Sequence, residues 1–207
     1  MSEIPEIPYV LGIDPSLTGT AVAKYFTDGS HDVERFSSKN LGKSVRERDQ
    51  RYLRLTERIM DFIGIEEGEP EPAVICIENY AFDAQNRGME LAEYGGILRS
   101  DLCVFGSPIE EVAPATLKKF VTGSGRADKA MMAAKTLNNW KVGFATDDHF
   151  DAFGLARVAA CLAGFEPPEN TKQAECLKTI TGRTFRVGVV STPAQSNLTL
   201  PFERPNP

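Results

Sequence analysis

The first apolar run of this chain ends on a carboxylate. A short strand pattern at 10–13 stops at Asp14, and residues 15–19 supply turn chemistry before a second apolar run at 20–23. A carboxylate at the end of a buried strand is costly unless it is hydrogen-bonded, ion-paired or bound to a metal ion. Asp14 is therefore either a turn cap or a metal ligand held at a sheet edge. The second interpretation requires further acids that the fold could bring close to Asp14.

Further acids follow in two places. The uninterrupted apolar run 73–77 is typical of a strand buried on both faces, and Glu78 comes directly after it. Asp148 and Asp151 are three residues apart at the start of a helical pattern, so they share one helix face. Alternatively, the two acids only stabilise the helix start, because negative charges in a first turn interact favourably with the helix macrodipole. Thr146 or Asp147 would then be the N-cap.

The remaining periodicities predict an α/β chain. The predicted strands are 10–13, 19–26, 31–37, 73–77 and 109–112. The predicted helices are 45–62, 89–103, 114–121, 130–138, 148–163 and about 169–181. Gly95 and Gly96 within a helical segment indicate close packing against a neighbouring backbone.

The first helix alternates apolar and basic side chains. Its predicted apolar face comprises Val45, Tyr52, Leu55, Ile59 and Phe62, and its arginines are Arg46, Arg48, Arg51, Arg54 and Arg58. We interpret the arginines as a solvated helix face.

Composition restricts the class of protein. The 207 residues suffice for one domain, and 42% apolar with 25% charged residues is ordinary for a soluble globular chain. No apolar run approaches the roughly 18 residues of a membrane span, and the start lacks a signal peptide, so we expect a cytoplasmic protein without membrane contact. The cysteines lack a CxxC pair and are interpreted as reduced core residues; they are Cys76, Cys103, Cys161 and Cys176.

The charge distribution is uneven. A net charge of −6 and a pI near 5.1 argue against a generic nucleic-acid binder. Between residues 115 and 141, however, six basic residues accompany only one acid, a local charge of +5. Such a segment suits a phosphate backbone, although it could also be an ordinary lysine-bearing surface.

Taken together, the four acids indicate one kind of chemistry. An all-oxygen cluster without His or Cys suits Mg²⁺ or Mn²⁺ rather than zinc. Two such ions about 4 Å apart can activate a water and stabilise the leaving oxygen of a phosphodiester displacement. The basic segment would then hold the flanking phosphates.

Four motifs resemble those of RuvC-type Holliday junction resolvases, nucleases of the RNase H-like superfamily, and particularly the phage-encoded members. They run from Gly12 to Ala21, Ile77 to Phe82, Lys118 to Lys129 and Asp148 to Ala156, and their order and spacing agree from about residue 9 to 164. The resemblance implies a mixed five-stranded sheet flanked by helices, and a two-fold dimer whose two sites make paired symmetric nicks in a four-way junction or other branched DNA.

The resemblance also assigns roles to residues. The metal ligands would be Asp14, Glu78, Asp148 and Asp151, holding two Mg²⁺ per site with Mn²⁺ as a substitute. Lys118 and Lys129 would be catalytic phosphate contacts, and the DNA-binding set would comprise Lys118, Lys119, Arg126, Lys129, Tyr80 and Phe82, the last two as candidates for the aromatic that contacts junction bases.

The C-terminal fifth of the chain departs from this pattern. We expect a nuclease domain at 1–166, an extension at 167–190 and a disordered tail at 191–207. Within the tail, the stretch from Gln195 to Phe202 looks similar to the short peptide by which replication and repair proteins dock on the bacterial sliding clamp, or it is simply a polar tail.

Two other functions stay open at this point. Gly-Ile-Asp followed by Thr-Gly-Thr also begins actin-like ATPases, but the chain has no second phosphate loop of the Asp-Gly-Gly type. The chain could also be a catalytically inactive junction-binding protein, although all four acids are present.

Overall fold

One mixed sheet forms the centre of the computed structural model, which describes residues 8–39, 42, 44–64, 70–79 and 88–189. Its strands are β1 (Tyr9–Asp14), β2 (Thr20–Phe26), β3 (His31–Phe36), β4 (Ile75–Glu78) and β5 (Ile109–Val112). The spatial order is β3-β2-β1-β4-β5, with antiparallel pairing among the first three strands and parallel pairing from β1 to β4 and β5. The expected mixed five-stranded sheet is confirmed.

Six helices surround the sheet in the described part of the chain. They are α1 (Val45–Ile63), α2 (Gly88–Leu102), α3 (Pro114–Thr122), α4 (Lys129–Trp140), α5 (Asp147–Ala163) and α6 (Thr171–Thr181). Local chemistry fixes several starts: Ser44 and Glu47 form a capping box before α1, and Pro114 occupies the first turn of α3. None of these helices is long and apolar enough to cross a bilayer.

The two faces of the sheet carry separate cores. Alternate residues of β1 illustrate the division: Val10 packs with α5, whereas Leu11 and Ile13 pack with α1 and α2. On the α5 face the helix contributes mostly small side chains, among them Ala152, Ala156 and Ala160. Helix α5 can therefore lie close to the central strands.

Helix α5 lies directly against the backbone of β1 at Gly12. A Cβ at this position would overlap the backbone of Ala156 and the carbonyl oxygen of Ala152. No residue with a side chain fits there unless helix and strand separate. This contact places the first turns of α5 over the carboxyl end of β1.

The segment after α5 is part of the same core. Helix α6 packs on α3, and Ala174, Cys176 and Leu177 are buried in the cluster that contains Leu117 and Phe120. Lys172 Nζ donates to the carbonyl oxygen of Gly123, 3.0 Å away, at the end of α3. The predicted tail and clamp-binding peptide at 191–207 lie outside the described residues.

Three sequence expectations are wrong in detail. Val45 does not join the apolar face of α1: it is the first helical residue after the Ser44 cap and is 62% exposed. Gly96 is not a close-packing site, because a Cβ there would meet nothing within 4 Å. Cys103 is exposed in the 3₁₀ turn after α2, although the other three cysteines are buried as expected and all four are free.

Candidate active site at the carboxyl ends of the central strands

The strand register aligns three charged residues in one row across the sheet. Asp14 of β1 pairs with Ala21 of β2, and Ala21 pairs with Arg35 of β3. On the other side, the parallel pairing of Ile13 with Ile77 brings Glu78 beside Asp14 at the next position. Neighbours in register point to the same face, and Ala21 belongs to the α5 core, so the row faces α5.

Helix α5 adds its acids to this row. Asp148 and Asp151 lie in its first two turns, and the negative charges of both raise the pKa of Asp14. The charge of Asp151 likewise raises the pKa of Glu78. The four acids predicted from the sequence are therefore brought together by the two strand ends and one helix.

Burial and mutual repulsion make this a strained set of charges. The pKa of Asp14 is raised to about 7, first by burial and then by Asp151 and Asp148. The pKa of Glu78 is raised to about 8 by burial and then by Asp14 and Asp151. The pKa of Asp151 reaches about 6, mainly through burial, against the lowering effect of Lys118 and Lys129.

Such a cluster has the donor chemistry of a hard-cation site. Carboxylate oxygens are the ligands that Mg²⁺ and Mn²⁺ prefer. A bound cation would offset both the burial and the repulsion that raise the three pKa values. In the described part of the chain, no three acidic, His or Cys side chains are placed to hold one ion as they stand. One of the four acids instead makes an ion pair, Asp148 with Arg35, and the neighbouring Asp147 pairs with Lys129.

The basic residues divide into two groups. Lys118 lowers the pKa of Glu78 and of Asp151, and Lys129 lowers those of Asp14 and Asp151, so both lie beside the acids.

Neither of the other two predicted basic contacts is among the groups that shift the pKa values of the three acids. Lys119, next to Lys118 on α3, turns toward α6 and pairs with Glu175 at 2.8 Å. Arg126 is exposed in the loop before α4 and makes no ion pair with another described residue. Tyr80 and Phe82, the predicted base contacts, lie outside the described residues.

Arg35 is the site residue that sequence reasoning missed. Its Nε donates to Asp148 Oδ2 at 2.6 Å, and its guanidinium passes over Gly19, where a Cβ would overlap it. The available signal was the strand alternation of β3, which places Val33 and Arg35 on the same face. An arginine on the inner face of a strand needs an anionic partner.

The turn after Asp14 is fixed by a buried hydroxyl. Thr20 Oγ1 lies 2.7 Å from the hydroxyl of Tyr94 on α2 and donates to the Ser16 carbonyl oxygen at 3.0 Å. Thr20 Oγ1 also accepts a hydrogen bond from the Ser16 backbone N–H. These bonds hold the 15–19 turn against α2 and so limit how far the end of β1 can move.

Comparison with known proteins places the chain among nucleases. The profile of the family described as crossover junction endodeoxyribonuclease RuvC matches residues 10–158. The curated RuvC of Rhodococcus jostii (strain RHA1) is 30% identical over 152 residues, which cover 71% of this chain and 78% of the relative. The match does not bear on phage origin, which stays a prediction.

Two solved structures share the fold. The RuvC structure of Thermus thermophilus superimposes with a TM-score of 0.54 at 19% identity, covering 72% of this chain and 90% of the other. The structure of T. thermophilus RuvC in complex with Holliday junction substrate gives 0.53 at 17% identity with the same coverage. The RNase H-like fold expected from the sequence is thereby confirmed. With the profile spanning most of the chain and the acids gathered at the end of its central strands, this protein belongs to the RuvC family of crossover junction endodeoxyribonucleases.

Proposed function

We propose that the protein is a metal-dependent endonuclease that resolves four-way DNA junctions by phosphodiester hydrolysis. The observation that carries this proposal is the convergence of Asp14, Glu78 and Asp151, each with a raised pKa, beneath the start of α5. Membership of the RuvC family supports the substrate class. It also favours a nuclease over the actin-like ATPase that the Gly-Ile-Asp motif left open.

The proposed metal site comprises Asp14, Glu78, Asp148 and Asp151 and would hold two Mg²⁺ ions, with Mn²⁺ as a substitute. When bound, such ions activate a water molecule and stabilise the leaving oxygen of the cleaved phosphodiester. Lys118 and Lys129 stand beside the acids, and we assign them to the phosphate oxygens around the cleaved bond. Arg35 holds Asp148 in place as a positioning residue.

The proposed substrate is a four-way junction or a related branched DNA. One structural neighbour is a complex of T. thermophilus RuvC with Holliday junction substrate. By analogy, we propose a homodimer whose two sites each nick one of two symmetric strands in the cytoplasm of a bacterial cell or an infected host. Sliding-clamp docking through Gln195 to Phe202 is part of the same proposal, and its test is clamp binding after deletion of residues 191–207.

The primary experiment compares cleavage of a four-way junction, a Y-fork and a linear duplex in Mg²⁺, Mn²⁺ and EDTA. We expect the junction to be cut with either cation and not in EDTA. Asp14→Asn should abolish cleavage but keep junction binding, whereas Asp32→Asn, an exposed acid on β3, should cut normally. Cutting by Asp14→Asn at the wild-type rate would refute the site assignment, and a wild-type protein that binds without cutting would favour an inactive junction binder.

A further inference from the structure

A second basic site lies on the other side of the sheet. A cavity of about 230 Å³ opens between the end of β3 and helix α1. Its lining consists of Ser37, Ser38, Lys39, Arg51, Arg54, Leu55 and Arg58. The α1 arginines, interpreted from the sequence as a solvated face, thus divide: three of the five line this cavity.

The cavity gathers positive charge without compensation. Four of its seven lining residues are cationic and none is acidic, in a chain whose net charge is −6. Among the described residues, none of these four cations forms an ion pair with a carboxylate. Four cations that face one cavity repel one another, so the arrangement is stabilised when an anion enters.

Two of the guanidinium groups are held in place by neutral partners. Arg51 donates from Nε to Ser38 Oγ at 2.9 Å and from Nη2 to the Leu17 carbonyl oxygen. Arg58 donates from Nη1 to the Ser37 carbonyl oxygen at 3.0 Å, and its guanidinium lies 5.6 Å from the centre of the Phe36 ring. These contacts fix the two groups without neutralising them, which suits the recognition of a phosphate.

The cavity is connected to the proposed active site through two short segments. Ser38 Oγ donates at 2.7 Å to the carbonyl oxygen of Leu17, in the turn that follows Asp14. On β3, Arg35 pairs with Asp148 only two residues before Ser37 enters the cavity wall. The cavity and the acid cluster therefore lie at neighbouring points of one sheet edge, on opposite faces of the sheet.

We propose that this cavity binds a backbone phosphate of the DNA substrate, on a strand segment outside the one that is cut. The proposal rests on the proposed function, since it extends the DNA path from the acid cluster around the sheet edge to α1. The chemistry alone would also accept a free phosphate ion, so the experiment must separate the two sources.

Arg54 is the residue best suited to a test by substitution. It lines the cavity and is exposed, and within the described residues it holds no hydrogen-bond or ion-pair partner, so Arg54→Gln removes charge and no structural contact. Arg46→Gln is the matched control, because Arg46 is an exposed arginine of the same helix outside the cavity. Both changes are made in the full chain carrying Asp14→Asn, which prevents cleavage during binding measurements.

The first measurement is junction affinity as a function of salt. We expect Arg54→Gln to weaken binding about 3- to 10-fold near 0.1 M salt and to lower the slope of log K against log salt by about one. Arg46→Gln should match the parent protein. Equal affinities and slopes for all three proteins would overturn the proposal.

The second measurement locates the phosphate. Single neutral methylphosphonate linkages are placed along the junction arms, and affinity is measured for the parent and for Arg54→Gln. We expect one or two linkages outside the cleavage position that weaken binding by the parent but not by the variant. If the loss from each methylphosphonate linkage and the loss from Arg54→Gln simply add at every position, the proposal is overturned. It is also overturned if Arg54→Gln abolishes binding of inorganic phosphate but leaves junction binding unchanged.

The same experiments separate this proposal from the function on which it rests. A parent protein that binds no junction overturns both. A parent that binds normally and an Arg54→Gln variant indistinguishable from it overturn only the cavity assignment.

Discussion

Arg35 and Asp148 form a 2.6 Å ion pair that joins the third strand to helix α5 across 113 residues of chain. Both side chains are about one-third exposed, so the pair orients Asp148 more than it stabilises the fold. A proposed metal ligand is thus oriented by a cationic neighbour on the sheet. Such partners of ligating carboxylates fix the geometry that a metal ion meets on arrival.

Arg35→Gln should raise the Mg²⁺ concentration needed for half-maximal cleavage about tenfold, because Asp148 loses the group that orients it. Arg35→Lys should recover part of the loss. The measurement is a Mg²⁺ titration of junction cleavage, with Glu34→Gln, an exposed change on the same strand, as control. An unchanged or lower Mg²⁺ requirement in Arg35→Gln would show that Arg35 does not position the ligand.

Cation binding should strengthen steeply with pH. Asp151, Asp14 and Glu78 have pKa values of about 6, 7 and 8, and a carboxyl group must lose its proton before it can coordinate a metal ion. Affinity therefore rises from pH 6 to pH 8, and binding releases protons. Calorimetry with Mg²⁺ in buffers of different ionisation enthalpy measures that release, which we expect to shrink in Asp14→Asn. Affinity that is flat between pH 6 and pH 8 would contradict the assignment.

The same acids should destabilise the metal-free protein at neutral pH. The pKa of Asp14 is near 7 in the folded chain against 3.8 as its ordinary value, so the folded state binds more protons between these limits. Stability consequently falls as pH rises from about 4 to about 7 and stays low above that range. Asp14→Asn removes this cost, which we place at about 1–3 kcal/mol.

Thermal unfolding in EDTA checks this expectation. At pH 7.5, Asp14→Asn should melt about 2–8 °C above the wild type, and the difference should shrink as the pH approaches 4. Asp32→Asn, an exposed change on β3, should show no such pH-dependent gain. A variant less stable than the wild type at pH 7.5 would mean that Asp14 is stabilised by its surroundings.

Two adjacent lysines should differ in their effect on cleavage. Lys118 acts electrostatically on Glu78 and Asp151, whereas Lys119 is paired with Glu175 on α6. We expect Lys118→Gln to lower the single-turnover cleavage rate constant about 10- to 100-fold, and Lys119→Gln to stay within about threefold of the wild type. Single-turnover cleavage at saturating protein measures both. Equal losses would indicate that α3 contributes only general positive charge.

Alanine substitution should have opposite effects on stability at two glycines, Gly12 and Gly96. Gly12→Ala forces a Cβ into the backbone of α5 and should cost at least about 3 kcal/mol of unfolding free energy. Gly96→Ala, at an exposed helical position with open space, should stabilise by about 0.5–1 kcal/mol. Chemical denaturation measures both changes. A mild effect at Gly12 would mean that α5 can move away from β1 without loss.

The sequence signals for the four proposed metal ligands are local patterns. Asp14 and Glu78 were recognised because a charge ends an apolar strand, and Asp148 and Asp151 because they share a helix face. Each of these signals lies within a few residues of chain. Their convergence was inferred from the chemistry of a cation site rather than from any single pattern.

The missed features depend on contacts between distant segments. Arg35 looks like any charged residue of a half-exposed strand until α5 is placed over the sheet. The arginines of α1 have helical spacing that fits a solvated face. Three of them line a cavity only because the segment after β3 lies opposite the helix. Similarly, close packing occurs at Gly12 and not at Gly96, because it depends on which helix crosses which strand.

The contact between α6 and α3 bears on how far a functional fragment of this protein must extend. The family profile ends at residue 158, yet the helix that carries Lys118 rests on Ala174, Cys176 and Leu177 and is tethered by Lys172. A fragment cut at the end of the matched region would keep the four proposed metal ligands and lose the packing behind Lys118. The segment after residue 163, which the family profile does not match, therefore supports the helix that carries a proposed phosphate contact.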